Sequence, residues 1–338
     1  MFALSNIMPE PSYDIVTVGG ATEDIVFYTD QGLIIDNHQD LLRQHLLAFE
    51  YGAKINIDHS FAFFGGGAAN AAVCFSRLGL KSAAVISIGK DERGRRVISN
   101  LEQEGVDMRG ISYSRLETGF SFIMANHKGD RIIFSNRAAN NDLSLSITAK
   151  EIISEGAWTY VASLSGKWRQ TLNAVFASSS KVAWNPGHFQ LQAGIKGLSS
   201  YLKKTEVLLL NKDEALELVF SDTDNKSLPA NKLNQAGVLL KIIKSFGPKL
   251  IVVTDGRRGA TAYDGKKFYR HNISKVKTVD ATGVGDAFNA SLIAGLHLYN
   301  DVDKAMKLAM RNAAAKVQKM GAQTGLMKSK KRETKNKK

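Results

Sequence analysis

The chain is almost without cysteine: Cys74 is the only one in 338 residues. That excludes a disulfide framework and suits a reducing compartment, so the expected location is the cytoplasm. Cys74 lies in the run Ala71-Ala72-Val73-Cys74-Phe75, where a buried small apolar residue is expected rather than a nucleophile. No apolar run reaches the length of about 18 residues that a membrane-spanning helix needs, and no membrane partner is expected. Met1 to Ser12 lacks the basic start and long apolar stretch of a secretory signal. Two nucleotide fingerprints are also missing. A dinucleotide-binding oxidoreductase needs Gly-x-Gly-x-x-Gly after an early strand, and Gly19-Gly20-Ala21-Thr22-Glu23-Asp24 does not supply it. A P-loop kinase needs Gly-x-x-x-x-Gly-Lys followed by Ser or Thr, which is absent. There is no internal repeat, and no clear linker before the tail.

What is present is ordinary globular composition, 44% hydrophobic and 23% charged, with a formal net charge of +13. The excess is uneven. Seven Lys or Arg against one Glu fall between Lys328 and Lys338, leaving a mild excess on the body. A basic tail can attract nucleic acid through counterion release, but the reading adopted is a solvated, disordered end at 326–338, with no nucleic-acid partner. The body's smaller excess suits an anionic ligand such as a nucleotide.

Asp14 to Val18, followed by Gly19-Gly20, reads as a buried strand ending in a turn. Similar runs recur at Ala83 to Ile88, Trp158 to Leu164, Val182 to Trp184, Val207 to Leu210 and Leu250 to Thr254. Helical periodicities lie between them, at Glu92 to Glu104, Gln170 to Ser178 and Lys232 to Phe246. Two more close the chain, near Val284 to Leu298 and Val302 to Met320. Strand-helix alternation implies a parallel sheet covered on both faces. Three strand-like stretches break the rhythm, Ile25 to Ile35, Ala53 to Phe64 and Ile111 to Phe134. They predict β insertions that assemble a small lid over one edge of a domain spanning 12–325. The polar segment Ser221 to Asn231 reads as a surface loop.

The most informative segment is Val279-Asp280-Ala281-Thr282-Gly283-Val284-Gly285-Asp286-Ala287-Phe288. A strand-like approach, Lys275 to Val279, runs into a glycine turn that opens a helix. Backbone N–H groups at a helix start are unpaired, and the helix dipole adds about half a positive charge, which makes an anion cradle. Gly283 and Gly285 remove side chains that would hold a phosphate away. Asp286 beside the cradle would repel an anion, so it is either a helix cap or the group that takes a proton from an attacking hydroxyl. In Phe64-Gly65-Gly66-Gly67-Ala68-Ala69-Asn70, small residues allow a ligand close to the backbone, and Asn70 can both donate and accept hydrogen bonds. Asp24, just past the first strand, is placed to accept two adjacent substrate hydroxyls, or is simply a turn residue.

These segments, in this order, resemble the ribokinase-like family, also called the PfkB carbohydrate kinases, along nearly the full chain. Gly19 to Asp24 matches its early Gly-x-x-x-x-Asp, and Gly65 to Asn70 its Gly-Gly-x-x-x-Asn. Asp280 to Asp286 matches Asp-x-x-Gly-x-Gly-Asp, with Val284 where Ala is more usual. Asn211-Lys212-Asp213-Glu214 looks like its Asn-x-x-Glu, Thr254 to Gly259 its nucleotide-side loop, and Lys319-Met320-Gly321-Ala322 its closing segment.

The resemblance implies an α/β fold: a central, mostly parallel sheet between helices, with a β lid. It implies ATP-dependent phosphorylation of a sugar hydroxyl, with Asp286 as base and Gly283, Val284, Gly285 and Asp286 forming the anion hole. Asp24, Gly65, Gly66 and Asn70 would hold substrate, and Asn140, in the polar stretch Asn136 to Asn140 after a lid strand, would join them. Asn211 and Glu214 would face the phosphates and organise Mg²⁺, with Asp280 a second candidate metal ligand. Thr254, Gly256 and Gly259 would border ATP, and Asn312 would lie beside adenine. Family members often use a monovalent cation such as K⁺, and Asp280, Thr282 and Gly321 are the matching region. Arg137 is a candidate for an anionic substrate group, or a surface residue. Phe27, Phe61 and Phe63 stack on a nucleobase, or pack the lid or a homodimer partner. A nucleoside kinase of the same family and a catalytically silent ligand-binding regulator remain as alternatives.

Overall fold

The computed structural model describes residues 11–36, 45–125, 131–222, 233 and 235–329. β1 (Tyr13–Val18) sits between β6 (Ser82–Val85), at one edge, and β11 (Gly156–Val161) in an eight-stranded sheet. Beyond β11 follow β12 (Val182–Trp184), β13 (Val207–Asn211), β14 (Leu250–Thr254), β15 (Ala260–Tyr263) and β16 (Phe268–His271). The strands from β6 to β14 are parallel, and the last two turn antiparallel.

The apolar runs are continuous because each strand is buried on both faces. Ile15, Ala84, Leu209 and Val252 point into one layer, against α1 (Gly67–Arg77), α9 (Val284–Tyr299) and α10 (Val302–Lys316). Val16, Val18, Leu208, Leu210, Ile251 and Val253 point into the other. That second layer holds α3 (Ile147–Ser154), α4 (Trp168–Ser178), α5 (His188–Leu191), α6 (Gly194–Leu202), α7 (Lys212–Phe220) and α8 (Ala236–Ser245). In α1, Ala68, Ala69, Ala71 and Ala72 are buried, and their small side chains bring the helix close to both β1 and α9. This closeness positions Asn70.

A second sheet of four strands has the order β10 (Arg131–Asn136), β9 (Phe120–Ala125), β2 (Thr22–Tyr28), β5 (His59–Gly65). It draws on all three expected insertions but uses less of each. β3 (Leu33–Asp36) pairs instead with β4 (His45–Ala48) in a separate hairpin, and 53–58 forms no strand. The expected strand Ala83 to Ile88 is broken: β7 (Ser87–Gly89) leaves the main sheet to pair with β8 (Ser112–Ser114). Glu23 in β2 is 3% exposed and takes two hydrogen bonds from Arg96 of α2 (Glu92–Gln103), at 2.7 and 2.8 Å. That ion pair fastens the small sheet to the main body.

Two further expectations are corrected. Lys275 to Val279 is not a strand; the N–H groups of Val279 and Asp280 both donate to the carbonyl of Val317 instead. The last helix ends at Lys316 rather than Met320. Gly321 then turns the chain back with φ +85°, against Phe63, where any Cβ would collide. The segment Ser221 to Asn231 is described only to Asp222, and the basic tail only to Ser329.

Candidate active site

Helix α9 opens on Gly283, which is left-handed (φ 73°) and packed on Ala322; a Cβ there would lie 2.6 Å from the alanine side chain. Only glycine fits that corner. The helix's own hydrogen-bond ladder begins with Ala287 N–H donating to Gly283 O, so the amides of Gly285 and Asp286 precede it, as anion-cradle amides must. Open space lies where a side chain on Gly285 would stand.

Asp286 is held from across the fold. Asn70 Nδ2 donates to its Oδ2 at 2.8 Å, and a Cβ on Gly67 would lie 3.6 Å from Oδ1. The starts of α1 and α9 therefore converge on one carboxylate. Burial pushes its carboxyl above the ordinary carboxylate value; the Asn70 hydrogen bond opposes this and the charge of Asp24 adds to it. Asn70 is itself oriented: its Oδ1 accepts from Gln323 Nε2 at 3.1 Å, and Gln323 Oε1 accepts from Asn100 Nδ2 at 2.9 Å. Neither Gln323 nor Asn100 was expected, and nothing local in the sequence marks them.

Asp24 lies in β2 and accepts from Thr22 Oγ1 at 3.1 Å. Burial raises its carboxyl too, against hydrogen bonds from Ser121 and Thr22. Its Oδ2 occupies the space over Gly65 that any side chain there would need. Gly66 packs in the same way on the backbone of Gly20 and Ala21. Asp24, Gly65, Gly66, Asn70 and Asp286 thus lie together, brought from distant parts of the sequence.

Asn140 is expected to join the substrate-holding residues. Its amide accepts from Ala21 N–H and donates to Ala21 O, each at 3.0 Å, bracing the turn that carries Asp24. Both ends of the amide are used within the protein. Arg137 lies over the ring of Phe189 at 5.4 Å.

The nucleotide-side residues gather at the ends of β13 and β14. A cavity of about 380 Å³ is lined by Asn211, Lys212, Asp213, Thr254 and Gly256. A neighbouring one of about 630 Å³ is lined by Lys212, Ala236, Arg258, Gly259 and His271. Lys212 and Arg258 bring positive charge, and both reach Asp255, at 3.9 and 2.7 Å. Both basic residues stood inside segments already singled out. Asn211 and Glu214 form a reciprocal helix cap: Glu214 N–H donates to Asn211 Oδ1 and Asn211 N–H to Glu214 Oε2, each at 2.8 Å. Burial raises the Glu214 carboxyl against the Asn211 hydrogen bond, helped by the charges of Glu217, Asp213 and Asp286. Such a crowd of negative charge favours a cation.

Asn312 is completely buried, donates to Ser291 Oγ at 2.7 Å and accepts from Met327 N–H at 2.8 Å. It joins two packed segments. Asp280, expected as a second metal ligand, is hydrogen-bonded through both carboxylate oxygens. Its Oδ1 accepts from Thr282 N–H at 2.8 Å, its Oδ2 from Gly321 N–H at 2.9 Å, and Lys316 Nζ lies 3.6 Å away. Burial works against the ionised form, yet these hydrogen bonds and the lysine hold the carboxyl below its ordinary value. Among the described residues, no group of three or more His, Cys, Asp or Glu side chains could hold a metal ion.

The architecture matches solved structures over nearly its whole length. Ribokinase of Arabidopsis thaliana, complexed with ribose and ATP, aligns with a TM-score of 0.77 at 21% identity, covering 94% of this chain and 96% of that one. The nucleoside kinase of Methanocaldococcus jannaschii aligns with a TM-score of 0.72 at 21% identity, covering 93% and 95%. The fold is the ribokinase fold. By sequence, the ATP-dependent 6-phosphofructokinase of Thermoanaerobacterium thermosaccharolyticum is 23% identical over 330 residues, 94% of this chain and 91% of the relative. The family model for pfkB family carbohydrate kinases matches residues 41–329, and the chain belongs to that family. It is a carbohydrate kinase, a phosphotransferase acting on an alcohol group.

Proposed function

We propose that the protein transfers the γ-phosphoryl group of ATP to a hydroxyl of a sugar or sugar derivative, with Asp286 as general base. The observation that carries this is the placement of the Asp286 carboxylate. It lies beside the first-turn amides of α9, hydrogen-bonded to Asn70 and within electrostatic reach of Asp24. A site built only to bind an anion would exclude that charge; a site that must deprotonate a hydroxyl next to an anion needs it.

Asp24 and Asn70 hold the acceptor's hydroxyls, and Asp286 accepts the proton as the hydroxyl oxygen bonds to phosphorus. Its raised affinity for protons, a consequence of burial, makes it a stronger base than an exposed carboxylate. The amides of Gly285 and Asp286 and the dipole of α9 offset charge on the phosphoryl group in transit. Nucleotide is held on the side of Asn211, Thr254, Gly256 and Gly259, where Lys212 and Arg258 supply positive charge. Glu214 is the residue that would hold hydrated Mg²⁺, which when bound neutralises phosphate charge. The small sheet is the lid over the acceptor.

A panel of sugars, sugar phosphates and nucleosides, assayed for ADP release with wild-type and Asp286→Asn protein, tests the reading. One acceptor class should stimulate wild-type turnover and leave the variant nearly silent. No ADP release with any acceptor would point to the silent regulator.

A further inference from the structure

Lys316, the last residue of α10, has no exposed surface. Its ammonium donates to the carbonyl of Asp280 at 2.8 Å and to that of Lys319 at 3.2 Å, and lies 3.6 Å from Asp280 Oδ2. A buried ammonium without partners costs several kcal/mol, so this one is tolerated because oxygen atoms enclose it. The enclosure is not an incidental part of the fold. Asp280 begins the turn that leads through Thr282 to the Gly283 corner, and its carboxylate also ties down Thr282 and Gly321. The ammonium therefore sits directly behind the loop that forms the anion cradle. Two main-chain carbonyls and a carboxylate are a donor set suited to a hard monovalent cation. This is the same Asp280, Thr282 and Gly321 region in which the family resemblance implied potassium.

Potassium does not fit there, because the side chain of Lys316 already fills the position. We infer that Lys316 is a tethered cation that does a monovalent ion's work in this chain: it braces the 280–283 loop and contributes fixed positive charge behind the cradle. Lys316 touches neither acceptor nor nucleotide and acts through the loop, so it is a positioning residue. Its charge is covalently attached, so no ion has to be captured from solution and the loop is ordered at any salt composition.

The activity arm of the test rests on the kinase reading above; the binding arm does not. Wild-type initial rates are compared in KCl, NaCl, NH4Cl and tetramethylammonium chloride at equal ionic strength, on an acceptor found by the panel. They should agree within about twofold, whereas a misplaced cradle can cost a hundredfold. A requirement for K⁺ of about tenfold or more would overturn the inference. Lys316→Ala opens the enclosure while keeping its oxygens. In tetramethylammonium chloride its kcat should fall by about tenfold or more, and KCl or NH4Cl should restore most of the loss. Lys316→Met keeps the stem but fills the space without charge, so it should be impaired and not rescued.

The binding arm is thermal melting. Potassium should raise the Tm of Lys316→Ala relative to tetramethylammonium and leave the wild-type Tm unmoved. A Lys316→Ala protein that is fully active in tetramethylammonium, or whose Tm ignores potassium, would refute the tethered-cation role. Should the acceptor panel find no substrate, the kinase reading fails, while the melting comparison still decides whether the enclosure is a cation site. If neither variant folds, the wild-type salt series decides on its own.

Discussion

At the residue scale, the proposed chemistry turns on the proton affinity of Asp286. Its carboxyl is raised above the ordinary value mainly by burial. The folded protein therefore keeps that proton to a higher pH than the unfolded chain does. The stability linked to the proton is present at low pH and is lost as pH rises through the raised value. Ionised Asp286 is thus a destabilising feature at neutral pH, retained for its use. Asp286→Asn should lower kcat by at least about 100-fold, the lower end for general-base catalysis. Its Tm should be unchanged or raised at neutral pH, with the gain shrinking towards acid, as melting curves across pH would show. Wild-type kcat/KM should fall as pH drops below the raised value, and a flat acid limb would remove Asp286 from the base role. The role proposed for Asp24 is to hold the acceptor. Hydrogen bonds to charged groups contribute about 1.5–3 kcal/mol, so Asp24→Ala should raise the acceptor KM by about tenfold or more. The KM for ATP should hardly move; an equal loss for both would place Asp24 outside the acceptor pocket.

At the scale of elements, the start of α7 carries two roles that single substitutions can separate. Asn211 and Glu214 cap each other, which is structural, and border the nucleotide side, which is the proposed functional role. Glu214→Gln can still accept from Asn211 N–H, so Tm should hold while the Mg²⁺ concentration needed for half-maximal rate rises. Asn211→Ala removes the cap itself and should cost about 1 kcal/mol, read by denaturant titration. The glycine turn before α9 and the alternation of strands and helices were legible because their signals are local. Gln323 was not legible: it is hydrogen-bonded to a residue 253 positions away, and nothing in its neighbourhood distinguishes it from a surface glutamine. The burial of Asn312 was not legible either, since a polar residue in a late helix carries no local sign of it. Gln323→Leu tests the unseen link. It strips Asn70 Oδ1 and Asn100 Nδ2 of a partner, each loss costing about 1–3 kcal/mol. It should lower kcat/KM as well as Tm.

For the whole molecule, the proposed lid is the small sheet set against the large one. If it closes over the acceptor, amide exchange in Thr22–Tyr28 and Phe120–Ala125 should slow when acceptor and nucleotide bind together. Unchanged exchange at saturation would leave the sheet a static wall. The presence of the inserted strands was readable from their aromatic and polar alternation. Their boundaries were not, because pairing partners 30 to 100 residues away decide which part of each run forms a strand.

The hydrogen bond between Asn70 and Asp286 joins residues 216 positions apart, and this has a bearing on biosynthesis. At a synthesis rate of about 10 residues per second, some 20 seconds separate the two residues at the ribosome. Throughout that interval α1 exists without the carboxylate its asparagine will hold. Gln323, which orients that asparagine, follows later still. A nascent chain can therefore build most of the sheet before it holds the carboxylate proposed as the general base.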